Sequence, residues 1–558
     1  MLQLGDQYRA WAIDMRYLCV TDRELIIEFL SKPYHRKVGQ NIKFDLKMIR
    51  HHFGIWLDNV WDTMVTEMEL VCGVQKRGFS LEKLAKKYLG FSYASTNQLD
   101  LFAPPNAIHL TKETRKSFKH LKDKFTTEQV MYGLKDIQHT HKIYELQLIE
   151  LCDKDLLSTA WLENQTVTAL AEMEYFGFHL DDRKWRDLAD HHSQLQAASL
   201  TAILDCISKE PLPEKFYSFQ QSLFEATDTA RSVQINLSSS KQVVELCKAL
   251  GIPTRIKDLK RSREKGEDIF KDSVEEAVLK QHINVHPVVA LYLEYKGYEK
   301  ATTTYGVQFL ADHLHPITNS IHTNYWQILA TGRLSSQNPN LQQIPSEGKM
   351  EGFRECFVPR TDKRCLVTAD YSQQEIRILA DKTGEPDMIE VLNSEGSDFH
   401  SLTARKVFNI APDMPVPKLQ RNISKMVAFL TVYGGGASKL SQNLQIPLEE
   451  AEEIIQGFFK AYATLEPYFK KMHRFSFDNG YILIDRFVRR KSFLPGWEEF
   501  TQLNRIIELS RRTGIKASAE DWKRFYVAKG QIERKSQNYG IQGQAASMTK
   551  LAMILFRH

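Results

Sequence analysis

The sequence predicts a multidomain protein of mixed α/β and α+β architecture, and three observations carry that expectation. At 558 residues the chain exceeds the length of about 250–300 residues at which single hydrophobic cores stop growing. Residues 1–150 alternate short apolar strand signals with amphipathic helical ones, as an α/β layer does. Beyond them run long helical patterns, interrupted by a strand-to-helix changeover at 366–380 and a hairpin signal at 479–495.

Composition narrows the class. Hydrophobic residues make up 42% and charged residues 26%, with a net charge of +5. This balance permits a polyanionic partner without demanding one. Seven cysteines, an odd number without a Cys-x-x-Cys pair, point to reduced thiols. No apolar run approaches the roughly 18–20 residues of a membrane span, and Met-Leu-Gln-Leu-Gly-Asp is not a secretory leader. A cytoplasmic location is expected.

In chain order, strands are expected at 10–14 and 17–20 and a helix at 22–30. An apolar lead at 38–42 enters a helix at 44–53, followed by an apolar segment at 55–60 and helices at 81–89 and 127–148. Asp45 closes Gln-Asn-Ile-Lys-Phe-Asp (40–45) at a strand-to-helix junction. Tyr132 and Asp136, four apart, project from one helix face. Asp22-Arg23-Glu24 follows a strand and opens a helix, so Asp22 is expected to cap it.

Helices at 158–174 and 182–197 flank an aromatic turn. Residues 236–242, Asn-Leu-Ser-Ser-Ser-Lys-Gln, lead into a helix that Gly251 and Pro253 should stop. A basic stretch covers 255–268, and an amphipathic helix within 286–304 carries Lys296 and Lys300.

Residues 366–380, Leu-Val-Thr-Ala-Asp-Tyr-Ser-Gln-Gln-Glu-Ile-Arg-Ile-Leu-Ala, place Asp370 where an apolar strand meets a helix. Residues 421–436, Arg-Asn-Ile-Ser-Lys-Met-Val-Ala-Phe-Leu-Thr-Val-Tyr-Gly-Gly-Gly, form a helix with a geometric message. At about 100° per residue, Arg421, Lys425, Phe429 and Tyr433 share one face. Ile423, Val427 and Leu430 share the opposite, apolar one. A cationic then aromatic ladder suits a nucleoside triphosphate, and Gly434–Gly436 allow a hinge.

Several segments together resemble the family A (DNA polymerase I-like) DNA polymerases of phage type. They are Ala-Thr-Gly-Arg-Leu-Ser-Ser-Gln-Asn-Pro-Asn-Leu-Gln-Gln-Ile-Pro (330–345), Asp-Tyr-Ser-Gln-x-Glu-Ile-Arg (370–377), Arg-x-x-x-Lys-x-x-x-Phe-x-x-x-Tyr-Gly (421–434) and Glu-Arg-Lys-Ser-Gln-Asn-Tyr-Gly-Ile-Gln-Gly-Gln-Ala-Ala (533–546). The resemblance implies a right-hand polymerase. Its thumb is expected at 151–315, the first part of the palm at 316–380, the fingers at 381–500 and the second part of the palm at 501–558. It further implies template-directed extension of a DNA primer with dNTPs in DNA replication.

By the same resemblance Asp370 and Lys425 are catalytic. Asp370 and the Tyr371 carbonyl bind Mg²⁺, while Gln373, Glu375, His400, Arg421, Lys425, Phe429 and Tyr433 hold the nucleotide. Glu375 excludes a 2′-hydroxyl, and Arg333, Arg534, Asn538 and Gln542 face the DNA. Ala428 and Leu430 depart from the Asn and Gly usual beside the motif aromatic, and Gln374 from an aliphatic residue. Residues 496–530 are expected as a helical, basic insertion, and Gly540 and Gly543 are expected to serve close backbone approach.

Residues 1–150 resemble the second and third motifs of the DnaQ-like 3′→5′ exonucleases, an RNase H-like fold, through Asp45, Tyr132 and Asp136. The resemblance makes Asp45 and Asp136 metal ligands. The family's opening Asp-x-Glu and its C-terminal His-Asp-Glu hairpin are not found, so both two-metal sites are expected to be incomplete, with a truncated palm and doubtful proofreading. A separate chain supplying the missing palm motif is one expected partner, beside primer–template DNA and dNTPs. The alternative is a non-catalytic primer–template binding derivative, or a relic.

Overall fold

A computed structural model describes residues 1–6, 8–74, 78–90, 124–219, 231–258, 261, 267, 269–345, 351–514 and 516–557. Most of the basic stretch after residue 258 lies outside them. The chain divides into two compact units: Met1–Tyr175 with Asn324–Gln337 and Ala369–His558, and Phe176–Thr323 with Asn338–Thr368.

The larger unit opens with an antiparallel pair, Leu2–Gly5 against Ala10–Ile13. The strand expected at 17–20 does not form. Met15–Tyr17 is a single 3₁₀ turn and Val20 already begins a helix that runs to Ser31. The reason is local: the Asp22 carboxylate accepts the Cys19 N–H at 3.0 Å in a capping box, so a helix start overrides the β signal. Asp22 therefore caps, as its context suggested.

Lys37–Gly39 pairs in parallel with Val60–Asp62, and the helix Ile42–Phe53 makes the crossover, as parallel pairing requires. Helices Thr63–Leu70, Leu81–Leu89, Thr127–Asp153 and Leu157–Phe176 follow. Thr126 and Gln129 form a capping box that starts the third of them. Leu30, Leu46, Val60, Val65 and Met68 pack with Val167, Ala171 and Ile328 into one core.

A second core of the same unit collects Ile376, Leu379, Phe399, Val427, Val432, Phe458, Tyr462 and Ile541. These residues come from helices Gln374–Thr383, Phe399–Phe408, Lys418–Val432, Leu448–Ala461 with its C-cap Tyr462, and the 39-residue Ala519–Arg557. The expected hairpin is present, with Tyr481–Leu483 antiparallel to Lys491–Phe493.

The strand expected at 366–370 is not formed. These residues are irregular and exposed, Leu366 at 58% and Val367 at 86%. Among the described strands none pairs with them. An apolar run holds an extended ribbon only when a neighbour takes up its backbone hydrogen bonds.

The long helix separates two glycines that the sequence grouped together. A Cβ at Gly543 would lie 2.1 Å from Ile484 Cγ2 and 2.7 Å from the Thr331 carbonyl oxygen, whereas at Gly540 the nearest atom would be Tyr468 Oη at 4.0 Å. Close approach belongs to Gly543 alone of the two. Gly543→Ala should destabilise by about 2 kcal/mol, within the 1–3 of overpacking. Gly540→Ala should be neutral or stabilise by up to about 1 kcal/mol through helix propensity. Urea midpoints of the two variants check the contrast, and equal midpoints would refute it.

In the smaller unit, helices Asp182–Ser208 and Pro287–Tyr305 pack along one another. Ile203, Ile207, Leu246, Val289 and Tyr292 form its core. Trp185 is fully buried, donates its indole N–H to the Tyr305 carbonyl at 2.8 Å and stacks on Phe309. Phe178–His179, Leu314–His315 and Ser320–Ile321 make a three-stranded sheet. Among the described residues no helix is long and apolar enough to cross a membrane.

Candidate nucleotide site and N-terminal cleft

The helix Lys418–Val432 presents the ladder the sequence predicted. Val427, Ala428 and Val432 are buried while Lys425 and Tyr433 are exposed. Phe429 and Tyr433 lie nearly parallel at 6.4 Å, and the His400 ring lies 6.1 Å from Phe429. Gly434 adopts φ of +71°, and a Cβ there would sit 3.0 Å from Arg534 Cα. Glycine therefore serves both the left-handed turn and the close approach of the long helix. Gln537 Nε2 donates to the Thr431 carbonyl at 2.7 Å, fastening the same two helices.

Asp398 is the residue the sequence reading passed over. Its carboxylate accepts from Arg421 Nε at 2.5 Å and Nη2 at 3.3 Å, from Ser401 Oγ at 2.6 Å and from the His400 N–H at 3.2 Å. Burial works against the charge, yet the Arg421 and Ser401 hydrogen bonds outweigh it and hold the carboxyl at about 2. Arg421 is thus oriented by an ionised carboxylate. Lys425 makes no hydrogen bond or ion pair among the described residues.

His400 is 6% exposed, and its Nδ1 has no hydrogen-bond partner. Burial lowers its pKa, and the Arg421 and Lys425 charges add to that against Asp398. A neutral imidazole therefore sits beside two cations, with its Nδ1 buried and unpartnered.

Glu375 joins two further predicted residues. It pairs with Arg333 and accepts the Tyr433 hydroxyl at 2.9 Å. Gln373, the residue before the helix Gln374–Thr383, has φ of +52°, and its side-chain oxygen is buried without a partner. On the long helix Gln542 is buried, Arg534 is exposed and the Asn538 Oδ1 is likewise unpartnered.

Asp370 and Tyr371 are exposed. Their carboxylate and carbonyl oxygens are the hard donors Mg²⁺ prefers, and no protein partner competes for Asp370 among the described residues. Among those residues no group of three or more His, Cys, Asp or Glu is arranged to hold a metal ion. The donor set fits one side of a metal site.

Asp45, Tyr132 and Asp136 converge on an N-terminal cleft of about 2460 Å³, walled by the strands Leu2–Gly5 and Lys37–Gly39. Asp45 opens onto cleft water, but the enclosing protein and then the neighbouring Asp62 push its carboxyl up to about 6. Asp62, also missed by the sequence reading, is fully buried and accepts from the Asn41, Ile42 and Met64 N–H groups at 2.8, 3.0 and 2.8 Å. It ends a strand and caps the helix Thr63–Leu70. An aspartate between an apolar strand and a helix was the available signal.

Because the folded pKa of Asp45 lies above 3.8, the folded protein binds more protons than the unfolded chain between about pH 4 and pH 6. The contribution of Asp45 to stability is therefore largest below that window and falls as pH rises through it. Burial raises Asp62 to about 6 as well, so carboxyl ¹³C NMR should show two aspartate signals titrating near pH 6, and the Asp45 signal should be the one that disappears in Asp45→Asn. If the cleft holds a divalent cation at Asp45, millimolar Mg²⁺ moves the Asp45 midpoint down. An unmoved midpoint removes Asp45 from the candidate ligands.

Residues 209–558 match the family model described as DNA polymerase family A. The chain belongs to that family. Residues 1–147 match the model described as 3′-5′ exonuclease. The chain is 28% identical over 547 residues to DNA polymerase I of Chloroflexus aurantiacus, covering 94% of this chain and 48% of that protein. It is 30% identical over 538 residues to DNA polymerase I of Synechocystis sp., covering 95% and 48%. It therefore spans about half the length of these family A relatives. Among solved structures, the POL domain of Pol1 from M. smegmatis in complex with DNA primer-template and dNTP superposes with a TM-score of 0.71 at 23% identity, covering 98% of this chain and 79% of that one. The fold is thus an exonuclease-type domain followed by a family A polymerase.

Proposed function

We propose that this chain carries out template-directed extension of a DNA primer with deoxynucleoside triphosphates, using a palm whose second metal carboxylate comes from outside residues 1–558. The carrying observation is the ladder of Arg421, Lys425, Phe429 and Tyr433 beside His400, with Glu375 held between Arg333 and Tyr433. On this reading the thumb spans residues 151–315, the palm 316–380 and 501–558, and the fingers 381–500.

Arg421, Lys425 and His400 take the β- and γ-phosphates, and Phe429 packs on sugar and base. The Glu375 carboxylate stands where a 2′-hydroxyl would intrude. Arg333, Arg534, Asn538 and Gln542 line the primer–template. The primer 3′-oxygen bonds to the α-phosphorus, the bond from that phosphorus to the bridging oxygen breaks, and pyrophosphate leaves. Mg²⁺ bound at Asp370 and the Tyr371 carbonyl would supply charge neutralisation there. On the long helix Met548, Leu551 and Leu555 are exposed at helical spacing, and an exposed apolar stripe of this kind marks an interaction site, which suits a covering segment that brings the second carboxylate.

Residues 1–150 supply Asp45, Tyr132 and Asp136 of a 3′→5′ exonuclease site that needs further carboxylates in the same way. A second reading is a non-catalytic primer–template binder, in which Asp370, exposed and without a hydrogen-bond partner among the described residues, serves no chemistry. Primer extension with Mg²⁺, with and without a segment carrying the family's His-Asp-Glu hairpin, separates the two. Extension with the segment supports the polymerase. Duplex binding with no extension in either condition leaves the binder.

A further inference from the structure

The helical insertion between the hairpin and the long helix carries a surface that the polymerase reading does not use. Helix Trp497–Thr513 packs on the start of Ala519–Arg557 through Phe500, Leu503, Ile507 and Phe525. Its outer side is aromatic and basic. Trp522 and Tyr526 stack at 5.7 Å and 25°, and the Arg511 guanidinium lies 5.4 Å over the Trp522 ring. Tyr526 is 59% exposed. Among the described residues Arg512, Lys516 and Lys523 are exposed and make no ion pair. Among the acidic neighbours Asp521 accepts from Ser518, Glu499 pairs with Arg524 and Glu508 accepts from Asn504, leaving Glu520.

We propose that this platform binds single-stranded nucleic acid, the bases stacking on Tyr526 and the backbone running past Arg512, Lys516 and Lys523. Stacked aromatics beside unpaired cations are what a sequence-tolerant single-strand track requires. The occupant is indicated by the helix itself. Trp522, Tyr526, Gly530 and Arg534 are spaced by four and advance about 120° around the helix, and Asn538 and Gln542 carry the same row on toward its buried side. At about 1.5 Å per residue, Tyr526 lies about 12 Å from Arg534 along it. The Arg534 side chain folds back toward the platform, its Nη1 3.3 Å from where a Gly530 Cβ would stand. The platform therefore continues the row of residues assigned above to primer–template, and the natural occupant is the unpaired template extension. That assignment rests on the proposed function; single-strand binding by the platform does not.

Fluorescence anisotropy on the full chain tests both. The probes are a labelled oligo(dT) of about 16 nucleotides, the upper site size of comparable tracks, and a flush-ended duplex. Removing a stacking ring should weaken oligo(dT) binding by Tyr526→Ala about 5-fold or more. Tyr526→Phe should retain it, and Arg512→Ser should flatten its salt dependence. Duplex affinity should stay unchanged in all three. Tyr526 is exposed, so unaltered thermal melts are expected and keep the comparison fair. Unchanged oligo(dT) binding in both Tyr526→Ala and Arg512→Ser, or no oligo(dT) binding by the unmodified chain, overturns the proposal. Tyr526-dependent oligo(dT) binding without any duplex binding upholds the platform and counts against the polymerase reading instead.

Discussion

Glu163→Ala should destabilise the larger unit by about 3–5 kcal/mol, the cost of leaving buried charge uncompensated. Glu163, Glu69, Arg490 and Lys550 have side chains between 0% and 1% exposed. Arg490 Nη1 donates to Glu69 at 2.7 Å and Nη2 to Glu163. Lys550 Nζ donates to both Glu163 oxygens at 2.7 and 2.9 Å and to the Gln327 carbonyl at 2.9 Å. Gln327 Nε2 adds a further bond to Glu163 at 2.7 Å. Burial alone would raise the Glu163 pKa, but Lys550 and Arg490 hold it below its ordinary value. Burial pushes Glu69 up and Lys550 down. Two carboxylates face two cations, so the cluster as a whole is neutral.

Truncating Glu163 strands Lys550 and leaves Arg490 with Glu69 alone, whereas truncating Glu69 leaves Glu163 still joined to Arg490 and Lys550. Urea midpoints should therefore order as wild type, then Glu69→Ala, then Glu163→Ala. Replacing all four residues together by apolar side chains of similar volume should recover most of the loss, because buried ion pairs compare poorly with packed hydrophobic groups. A Glu163→Ala midpoint within 1 kcal/mol of wild type, a loss typical of exposed pairs, would show that water reaches the cluster. The architectural consequence is that Glu69, inside the exonuclease match at 1–147, is tied to Arg490, inside the polymerase match at 209–558.

That cluster also marks where sequence reading stops. Arg421, Lys425, Phe429 and Tyr433 were legible because a helix repeats with a period that four-residue spacing reveals, and the Asp22 cap because its partner lies three residues away. Glu69 and Arg490 are 421 residues apart, and no local period reports their meeting. Asp62 and Asp398 were hidden differently: each is an N-cap, and capping is a sufficient explanation until the structure shows Asp62 binding two amides of another helix and Asp398 orienting Arg421. At 366–370 the apolar pattern was real, but a strand is a property of two segments and its partner was not among those described. The site itself was read largely from family resemblance, and the structure adds how its members hold one another.

Asp370→Ala should abolish extension while leaving the fold and the DNA affinity intact. Asp370 is exposed and makes no hydrogen bond among the described residues, so its removal strands no partner and creates no cavity; urea midpoints should agree with wild type within about 0.5 kcal/mol. Its loss would be felt in the chemical step, where a held metal supplies several kcal/mol of transition-state stabilisation. Losing about 4 kcal/mol there slows extension about 10³-fold. Single-turnover extension by the completed enzyme should show that fall, with the Kd for primer–template unchanged because Arg333, Arg534, Asn538 and Gln542 remain. Lys425→Ala should behave differently, raising the dNTP concentration needed for half-maximal rate, since phosphate contact is made in the ground state as well. Extension by Asp370→Ala at the wild-type rate would remove this carboxylate from the chemistry and with it the reading of Asp370 and Tyr371 as the metal-binding residues of the palm.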